Sequence, residues 1–580
     1  MYDLVQQVRG EVADFLTEHI PITSIPAENN QSYDYKFSQR ENVSLIDLYW
    51  NSQFKSGKLD AKGNEKLFLN VGKFRTEVAE MQIDIDVSNF LFVPTSEDYW
   101  TPWFMSRDFH AWVRENDYGE TINDWGADLP RYGTAVSKKV GDEIKRVAIS
   151  RLMNTQDCHS LKEAATSGGY VIEQMELTQQ QAENYPDWNI DAIPDTKGTK
   201  VFYERYGLIT EADIKMSKGE EPEAKDWEEF KLGLAVVCVS LEKDAKDNDS
   251  ALLFAEFVAE DDFPYEEVHW ARQDGRWQGI GVMEEQFQNQ LAKNLTTHYR
   301  MKNMMWAGKK MFYSNDVEAP NNLSTEVKDG GVIALGTGGQ IQPVNTQTQH
   351  LSDFQSWDNQ VDAQADKTSF TYEAATGDSP KAGTPYSLQV QVDNTLQKHF
   401  GKKKERYGAF LRRIFFDQQV PIFKKNRKKA HTMSFSQTEE GVEMLREAMI
   451  ETKTTQRWLD ERLMQGNKTV LELKQEVTEE LIKSPYLVVE LPAKAYDNAK
   501  FSTDLILTGE RRNIFAEMET VKTLLQDARA EGDVEGANKL KRELVGLTGR
   551  MPMNAKVQQP QQAPQAEAPM PAQAPNPVLS

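Results

Sequence analysis

Between Asp274 and Trp306 the chain changes its periodicity, and that change divides everything around it. The stretch DGRWQGIGV is turn-rich and aromatic, and after Gly279 and Gly281 it gives way to Met283, Phe287, Leu291 and Leu295, four apart, with Tyr299 and Met305 roughly extending the stripe. This spacing predicts an amphipathic helix of about 25 residues, about 38 Å long at 1.5 Å per residue. A glycine pair ahead of a helix suggests a phosphate cradle, a hinge or a joint between domains. No lysine–hydroxyl pair follows these glycines, and Glu284 and Glu285 in the next turn would repel a phosphate. The stretch is therefore expected to be a joint, with backbone freedom at the glycines and with Arg276 and Trp277 fixing the corner.

Ahead of the joint the chain is mainly β-patterned. An amphipathic helix is expected first, with Val5, Val8, Val12, Leu16 and Ile20 on one face and a stop before Pro21. Alternation of Met81, Ile83, Ile85 and Val87 predicts a strand, and Trp103, Phe104, Phe109 and Trp112 an aromatic helix. The segments 131–140 and 145–153 should pair around Gly141-Asp142. A strand and short helix from Gly169, then three β segments ending near residue 260, complete an α+β region with a substantial antiparallel sheet.

Behind the joint helices dominate. A β-rich excursion over 319–344 precedes a second helix carrying Leu351, Phe354, Val361 and Ala365. Breaker-rich TGDSPKAG (376–383) leads to a third, long helix with Thr384 as N-cap, Pro385 in its first turn and an expected end near Pro421. HTMSFS and YLVVELPA are expected strands flanking helices at 440–450 and 470–482, and two more helices are expected over 510–549. The last thirty residues hold seven prolines and almost no charge, a tail that cannot bury a core.

At 580 residues the chain exceeds one hydrophobic core, so two to four structural units are expected. A net charge of −23 opposes indiscriminate coating of nucleic acid. Two cysteines, Cys158 and Cys238, could form one bridge but no disulfide framework, which fits a reducing compartment. The N-terminus lacks the pattern of a signal peptide, and no apolar run is long enough to cross a membrane.

Motifs for chemistry are sparse. No GxxxxGK[ST] occurs, which weighs against a P-loop ATPase, and DGGVIALGTGGQ has turn glycines without GxGxxG spacing. Cys158 and His159 are adjacent, so in a strand they would face opposite sides. The eight histidines show no HExxH spacing. Glu260, Asp261 and Asp262 could hold a divalent cation, or could simply be a solvated acidic face. No cofactor is expected. The segment 401–430 is different, with eleven Lys and Arg against Glu405 and Asp417. Lys402, Lys403, Lys404, Arg412 and Arg413, interleaved with Tyr407, Phe410, Phe415, Phe416 and Phe423, suit phosphate contact. The alternative, favoured here, is packing against acidic surface of a neighbouring subunit, with the aromatics as core.

The order of these elements resembles the portal proteins of tailed bacteriophages, and RYGTAVSKKV, GYVIEQMELTQQQ and DGRWQGIGVMEEQFQNQLAKNL are similar to the family's early wing strand, its strand with a short helix, and its entry into the stem. The likeness implies an α+β wing (1–273), a stem helix (274–306), a β-rich clip (307–345), a second stem helix (346–373), a tunnel loop (374–384), a long helix with the rest of the wing (385–508), a helical crown (509–550) and a disordered Pro/Gln-rich tail (551–580). It implies a non-enzymatic ring of about twelve subunits at one capsid vertex, assembled in host cytoplasm, with double-stranded DNA in transit. The implied partners are the large terminase, a head-completion or tail adaptor, and the major capsid and scaffolding proteins, with no membrane. By the same likeness Asp378 and Lys381 would project into the channel, and Lys293, Arg300 and Lys302 would contact phosphates from the stem. The competing expectation is a cytosolic metal-dependent hydrolase or nucleotidyl transferase built on Glu260–Asp262.

Overall fold

A computed structural model of the chain describes residues 3–17, 19–23, 35–59, 63, 65–87, 90–94, 100–192, 200–238, 250–307, 312–315, 337–338, 340–343, 351–371, 386–436, 442–463, 468–484, 486–497, 499, 501–505, 521, 523–525 and 528. These are mixed helix and sheet, an α+β arrangement. They divide into two compact units, one drawn from Met1–Val93, Phe109–Phe423 and Ser502–Gly509, the other from Pro94–Asp108, Lys424–Phe501 and Glu510–Ser580. The expected tunnel loop with Asp378 and Lys381, the helix start at Thr384 and Pro385, most of the clip and crown, and the whole tail lie outside the described residues.

In the first unit, α1 (Leu4–Thr17) buries Leu4, Val8 and Val12 as its spacing requires. Ile20 leaves the helix and enters a short strand, Ile20–Thr23. Next come α2 (Gln39–Trp50), capped by Ser38, and α3 (Gly72–Ile83). α3 corrects the expected strand at Met81–Val87. Val78, Ala79 and Ile83 are buried at helical spacing while Met81 is exposed, so a helical stripe outweighs a short alternation, and the strand begins only at Phe90. The aromatic helix is α4 (Trp100–Glu115), of which the residues from Phe109 belong to this unit and the earlier ones to the second, followed by α5 (Tyr118–Tyr132).

The expected strand pair forms around Gly141-Asp142, but 145–153 is not one strand: it breaks at a 3₁₀ turn, Ile149–Arg151, and Leu152–Asn154 pairs in a different sheet. β1 (Thr134–Val140) and β2 (Glu143–Val147) pair through Val140 and Glu143, closing a two-residue turn in which Gly141 has φ +60°. β3 (Leu152–Asn154), β4 (Tyr170–Leu177), β5 (Lys200–Thr210), β6 (Phe230–Cys238) and β7 (Ala251–Phe257) form a five-stranded antiparallel meander. β8 (Tyr265–His269) joins β1 and β2 in a second sheet. One face of the meander packs on α1, through Ile172, Tyr203, Ala235 and Val237. Val136, Val147, Val171, Tyr206 and Tyr265 build another part of the core. Two buried cations are paired: Lys138 Nζ lies 2.7 Å from Glu173 and 2.6 Å from Glu204, and Arg205 takes Glu11 through two bonds of 2.7 Å.

After β8 come α6 (Phe287–Ala307), α7 (Leu351–Ser369) and α8 (Tyr386–Arg412), with a small ladder pairing Phe312–Ser314 and Ile341–Pro343 between the first two. The third helix does not end near Pro421. A π-helical stretch, Arg413–Gln419, shifts the bonding so that Val420 N–H reaches the Phe415 carbonyl, and helix Val420–Asn426 follows with Pro421 at its second position. Pro421 sits where the bonding passes from the π-helical to the α-helical pattern, a point at which one missing N–H is accommodated.

The second unit contains β9 (His431–Ser436) paired antiparallel with β10 (Tyr486–Leu491), at the positions expected for strands. α9 (Val442–Leu463) extends well past residue 450, and α10 (Val470–Lys483) opens with a capping box of Thr469 and Glu472. Asp108 anchors this unit from a buried position, accepting from Tyr496 Oη at 3.1 Å and lying 2.8 Å from His431 Nε2 and 3.2 Å from Arg427 Nε. Among the described residues no helix is long and apolar enough to cross a membrane.

Candidate functional site

The approach to α6 is rigid. α5 ends at Gly133, whose φ of +77° a β-carbon would resist. Gly279 and Gly281 press against it: a β-carbon on Gly279 would lie 2.2 Å from the Gly133 oxygen, and one on Gly281 2.6 Å from the Gly133 nitrogen. Neither Gly279 nor Gly281 has positive φ. Their role is close backbone approach, which replaces the conformational freedom expected from the sequence. Around them Trp270 N–H donates to Gly133 O at 2.8 Å, Gly279 N–H to Thr134 Oγ1 at 2.8 Å, and Gln278 Nε2 to Tyr132 O at 2.9 Å.

Arg276 locks this corner. Its side chain is fully buried, makes two bonds to Glu284 at 2.8 and 2.9 Å, donates to Gln278 O at 2.7 Å and covers the Phe37 ring at 3.8 Å. Asn42 Nδ2 adds a 2.9 Å bond to Glu284. The buried charge is therefore paired and hydrogen-bonded, which is what makes its burial tolerable. Trp277 is buried beside His269 in an edge-to-face contact of 5.6 Å. Burial, with Arg272 and Arg406 nearby, pushes His269 down to about 3, so it is neutral at pH 7. Neighbouring Glu285 is pushed up to about 7 by burial, partly opposed by Lys403.

α6 then inverts the usual arrangement of an amphipathic helix. Its buried face is polar, with Gln290, Asn294, Thr296 and Thr297, and Gln286 just ahead of it. Its exposed face carries part of the predicted apolar stripe, Leu291, Leu295, Tyr299 and Met305, together with Met304, each 51–55% exposed, whereas Met283 is buried and Phe287 half-buried. The polar face is satisfied within the unit. Gln290 accepts from Val71 N at 2.7 Å and donates to Leu69 O at 2.7 Å and Asn294 Oδ1 at 3.0 Å. Thr296 and Thr297 bond back to the carbonyls four residues earlier. Toward α7, Gln286 donates to Ala365 O at 3.3 Å, and Arg75 of α3 holds Asp366 at 2.6 Å. The stripe runs about 21 Å from Leu291 to Met305, and α7 contributes exposed Trp357. An exposed apolar row is the reverse of what a helix facing water ordinarily presents.

The residues singled out in the sequence are distributed unevenly. Lys293 Nζ is engaged by Asp362 at 2.8 Å and Asp358 at 3.5 Å, and Arg300 lies 3.6 Å from Asp358, so both join the α6–α7 seam. Lys302 is exposed. In the basic segment Lys403 donates to Trp270 O at 2.6 Å, and buried Lys404 donates to Asp84 O. Arg413 lies 2.9 Å from Glu266, whereas Lys402 and Arg412 are exposed. Tyr407, Phe410, Phe415, Phe416 and Phe423 are all buried, which agrees with the alternative expectation that the aromatics of this segment are core.

Glu260, Asp261 and Asp262 occupy one exposed 3₁₀ turn, and no group of three possible metal ligands occurs among the described residues. Cys158 and Cys238 are free thiols. Cys158 donates to Thr155 O at 3.0 Å and is pushed up to about 12 by burial and nearby carboxylates, which removes its nucleophilic thiolate. Gly133 and the polar row Gln286, Gln290 and Asn294 were missed. Their four-residue spacing, offset from the apolar stripe, was the available signal. No protein-family model and no curated protein matches the chain.

Proposed function

We propose that the chain is the subunit of a phage portal, a closed ring at one capsid vertex through which double-stranded DNA enters and leaves. The observation that carries this reading is the inverted helix α6, which buries Gln290 and Asn294 and leaves Leu291, Leu295, Tyr299, Met304 and Met305 exposed. A chain that works alone gains nothing from that arrangement. A ring subunit does, because a head-to-tail interface joins two different faces of identical copies and each copy must carry an apolar face for its neighbour.

Three further features support the reading. An α+β body leads through a rigid joint into α6, a small antiparallel ladder follows, and α7 and the long α8 come after it, in the order of wing, stem, clip, stem and long helix. Lys293–Asp362 and the bonds of Gln290 to Val71 N and Leu69 O fix the register of α6 against the rest of its unit, so the stripe is presented as a rigid row. The net charge of −23, repeated around a ring, would keep a DNA conduit from binding its cargo tightly. About twelve copies are proposed from the family likeness, with the large terminase, a tail or head-completion adaptor, and capsid and scaffolding proteins as partners.

Negative-stain microscopy and light scattering of the purified full chain test the proposal. Closed rings with a central opening are expected. A uniform monomer or dimer across low and high salt overturns it.

A further inference from the structure

The basic segment splits into two unlike halves. From Lys402 to Arg413 the cations are dispersed along helix, and Lys403, Lys404, Arg406 and Arg413 have partners within their own unit. From Lys424 to Lys429 the sequence KKNRKK places five cations in six residues with no carboxylate among them. This second run covers the end of helix Val420–Asn426 and the turn into β9. The negative end of the helix dipole accounts for Lys424 and Lys425. It does not account for Lys428 and Lys429, which follow the helix.

The fold adds a cation that the sequence places far away. Lys494 N–H donates to the Lys428 carbonyl at 3.1 Å, bringing exposed Lys494 beside the run. Asp108 and Asp497 are acids near the run, and neither pairs with Lys428, Lys429 or Lys494 among the described residues. Asp108 is buried and already shared by Arg427, His431 and Tyr496, and exposed Asp497 acts on Lys424, which lies over the Phe501 ring at 5.0 Å. Lys428, Lys429 and Lys494 are exposed and make no ion pair with the described residues.

The chemistry of the corner selects its ligand. Protein partners are held by buried aromatic and aliphatic anchors, with charge at the rim. From Lys424 to Lys429 there is no exposed large apolar side chain. Exposed lysines without such anchors suit a regular polyanion, whose binding is driven by release of condensed counterions. We infer that Lys428, Lys429 and Lys494 form a contact surface for the phosphate backbone of a double-stranded nucleic acid, without base readout. The remaining acidity of the chain keeps this contact weak and salt-sensitive. The inference rests on the charge of this corner and does not require the ring.

Fluorescence anisotropy of the full chain with labelled 30-base-pair DNA and RNA duplexes tests it. Binding to either duplex at 50 mM salt is expected, weakening steeply as salt rises. The triple variant Lys428→Glu/Lys429→Glu/Lys494→Glu should bind at least about tenfold more weakly, and its salt slope should fall by roughly 2–3, about 0.9 for each phosphate no longer neutralised. Lys402→Glu/Arg412→Glu, which changes exposed cations of the first half, should shift affinity less than about threefold. An unchanged melting temperature checks that each variant is folded, and light scattering records assembly separately from binding. No duplex binding by the parent chain, or equal affinity and slope for the triple variant, overturns the inference. So does tighter binding to a polyglutamate probe than to either duplex, which would assign the corner to an acidic protein.

Discussion

Gly281 stands so close to Gly133 that a β-carbon on it would come within 2.6 Å of the Gly133 nitrogen and 2.6 Å of the Pro130 carbonyl oxygen. Both obstacles are backbone, so no side-chain rotation can relieve the clash. Gly281→Ala should therefore destabilise the first unit by about 3 kcal/mol or more, read as a lowered denaturation midpoint.

Gly401 supplies the opposite expectation. It lies within α8, and a β-carbon there would meet nothing within 4 Å. Gly401→Ala should stabilise the protein by about 0.5–1 kcal/mol, through the difference in helix propensity. A loss of stability in the same denaturation assay would contradict open space beside that turn.

Arg276 and Glu284 should behave as one unit. Arg276→Met leaves the Glu284 carboxylate in a partly buried site without its cation, at a cost of about 3–5 kcal/mol. The double variant Arg276→Met/Glu284→Leu should recover part of that loss. A double-mutant cycle measures the coupling, and simple additivity of the two single changes would count against the pair as the lock of this corner.

If the proposed ring forms, Leu291→Glu/Leu295→Glu should leave the subunit folded and prevent that assembly. Both side chains are more than half exposed, so their removal takes little from the core of one chain. In an interface each leucine contributes about 1.5–3 kcal/mol. Light scattering should give monomers with a nearly unchanged melting temperature. Intact assemblies would show that the stripe is not the contact between copies.

Glu267 sets a pH dependence. Burial pushes its carboxyl up to about 7, against opposing pulls from the Leu161 N–H, Arg272 and Arg413. Between the ordinary value of 4.5 and about 7, the folded state holds a proton that the unfolded state has released. Its contribution to stability is thus fully present below the lower value and is lost as pH rises through the upper one. Glu267→Gln, which mimics the protonated acid, should match the parent chain near pH 4.5 and exceed it near pH 8, by on the order of 1–3 kcal/mol. Urea titrations at the two pH values read this difference directly.

Much of the framework was legible from side-chain periodicity. Val8 and Val12 predicted α1, and the Gly141-Asp142 turn dipeptide predicted the pairing of β1 with β2. Local pattern suffices where the face it defines is the face that is buried. It failed at Met81–Val87, where two periodicities overlap, and at Pro421, where a π-helical stretch let the helix continue.

The candidate sites were less legible, because burial and pairing are set by residues distant in sequence. Met283, Leu291 and Leu295 share one stripe, yet Met283 is buried against Gly72 while Leu291 and Leu295 are exposed. Gln290 is buried because Leu69 and Val71 present backbone groups to it, and Lys494 reaches Lys428 through one hydrogen bond within the second unit.

The sequence by itself determined that a helix follows the glycine pair, that it carries an apolar row, and that positive charge gathers in 401–430, since these are properties of spacing and composition. The tertiary structure decided that the glycines serve close approach to Gly133, that the apolar row of α6 remains uncovered in one copy, and that exposed positive charge collects near Lys428. Those outcomes depend on which surfaces find partners within the chain: hydrogen bonds satisfied Gln290 and Asn294, carboxylates took Lys293, and neither reached Leu295 or Lys429.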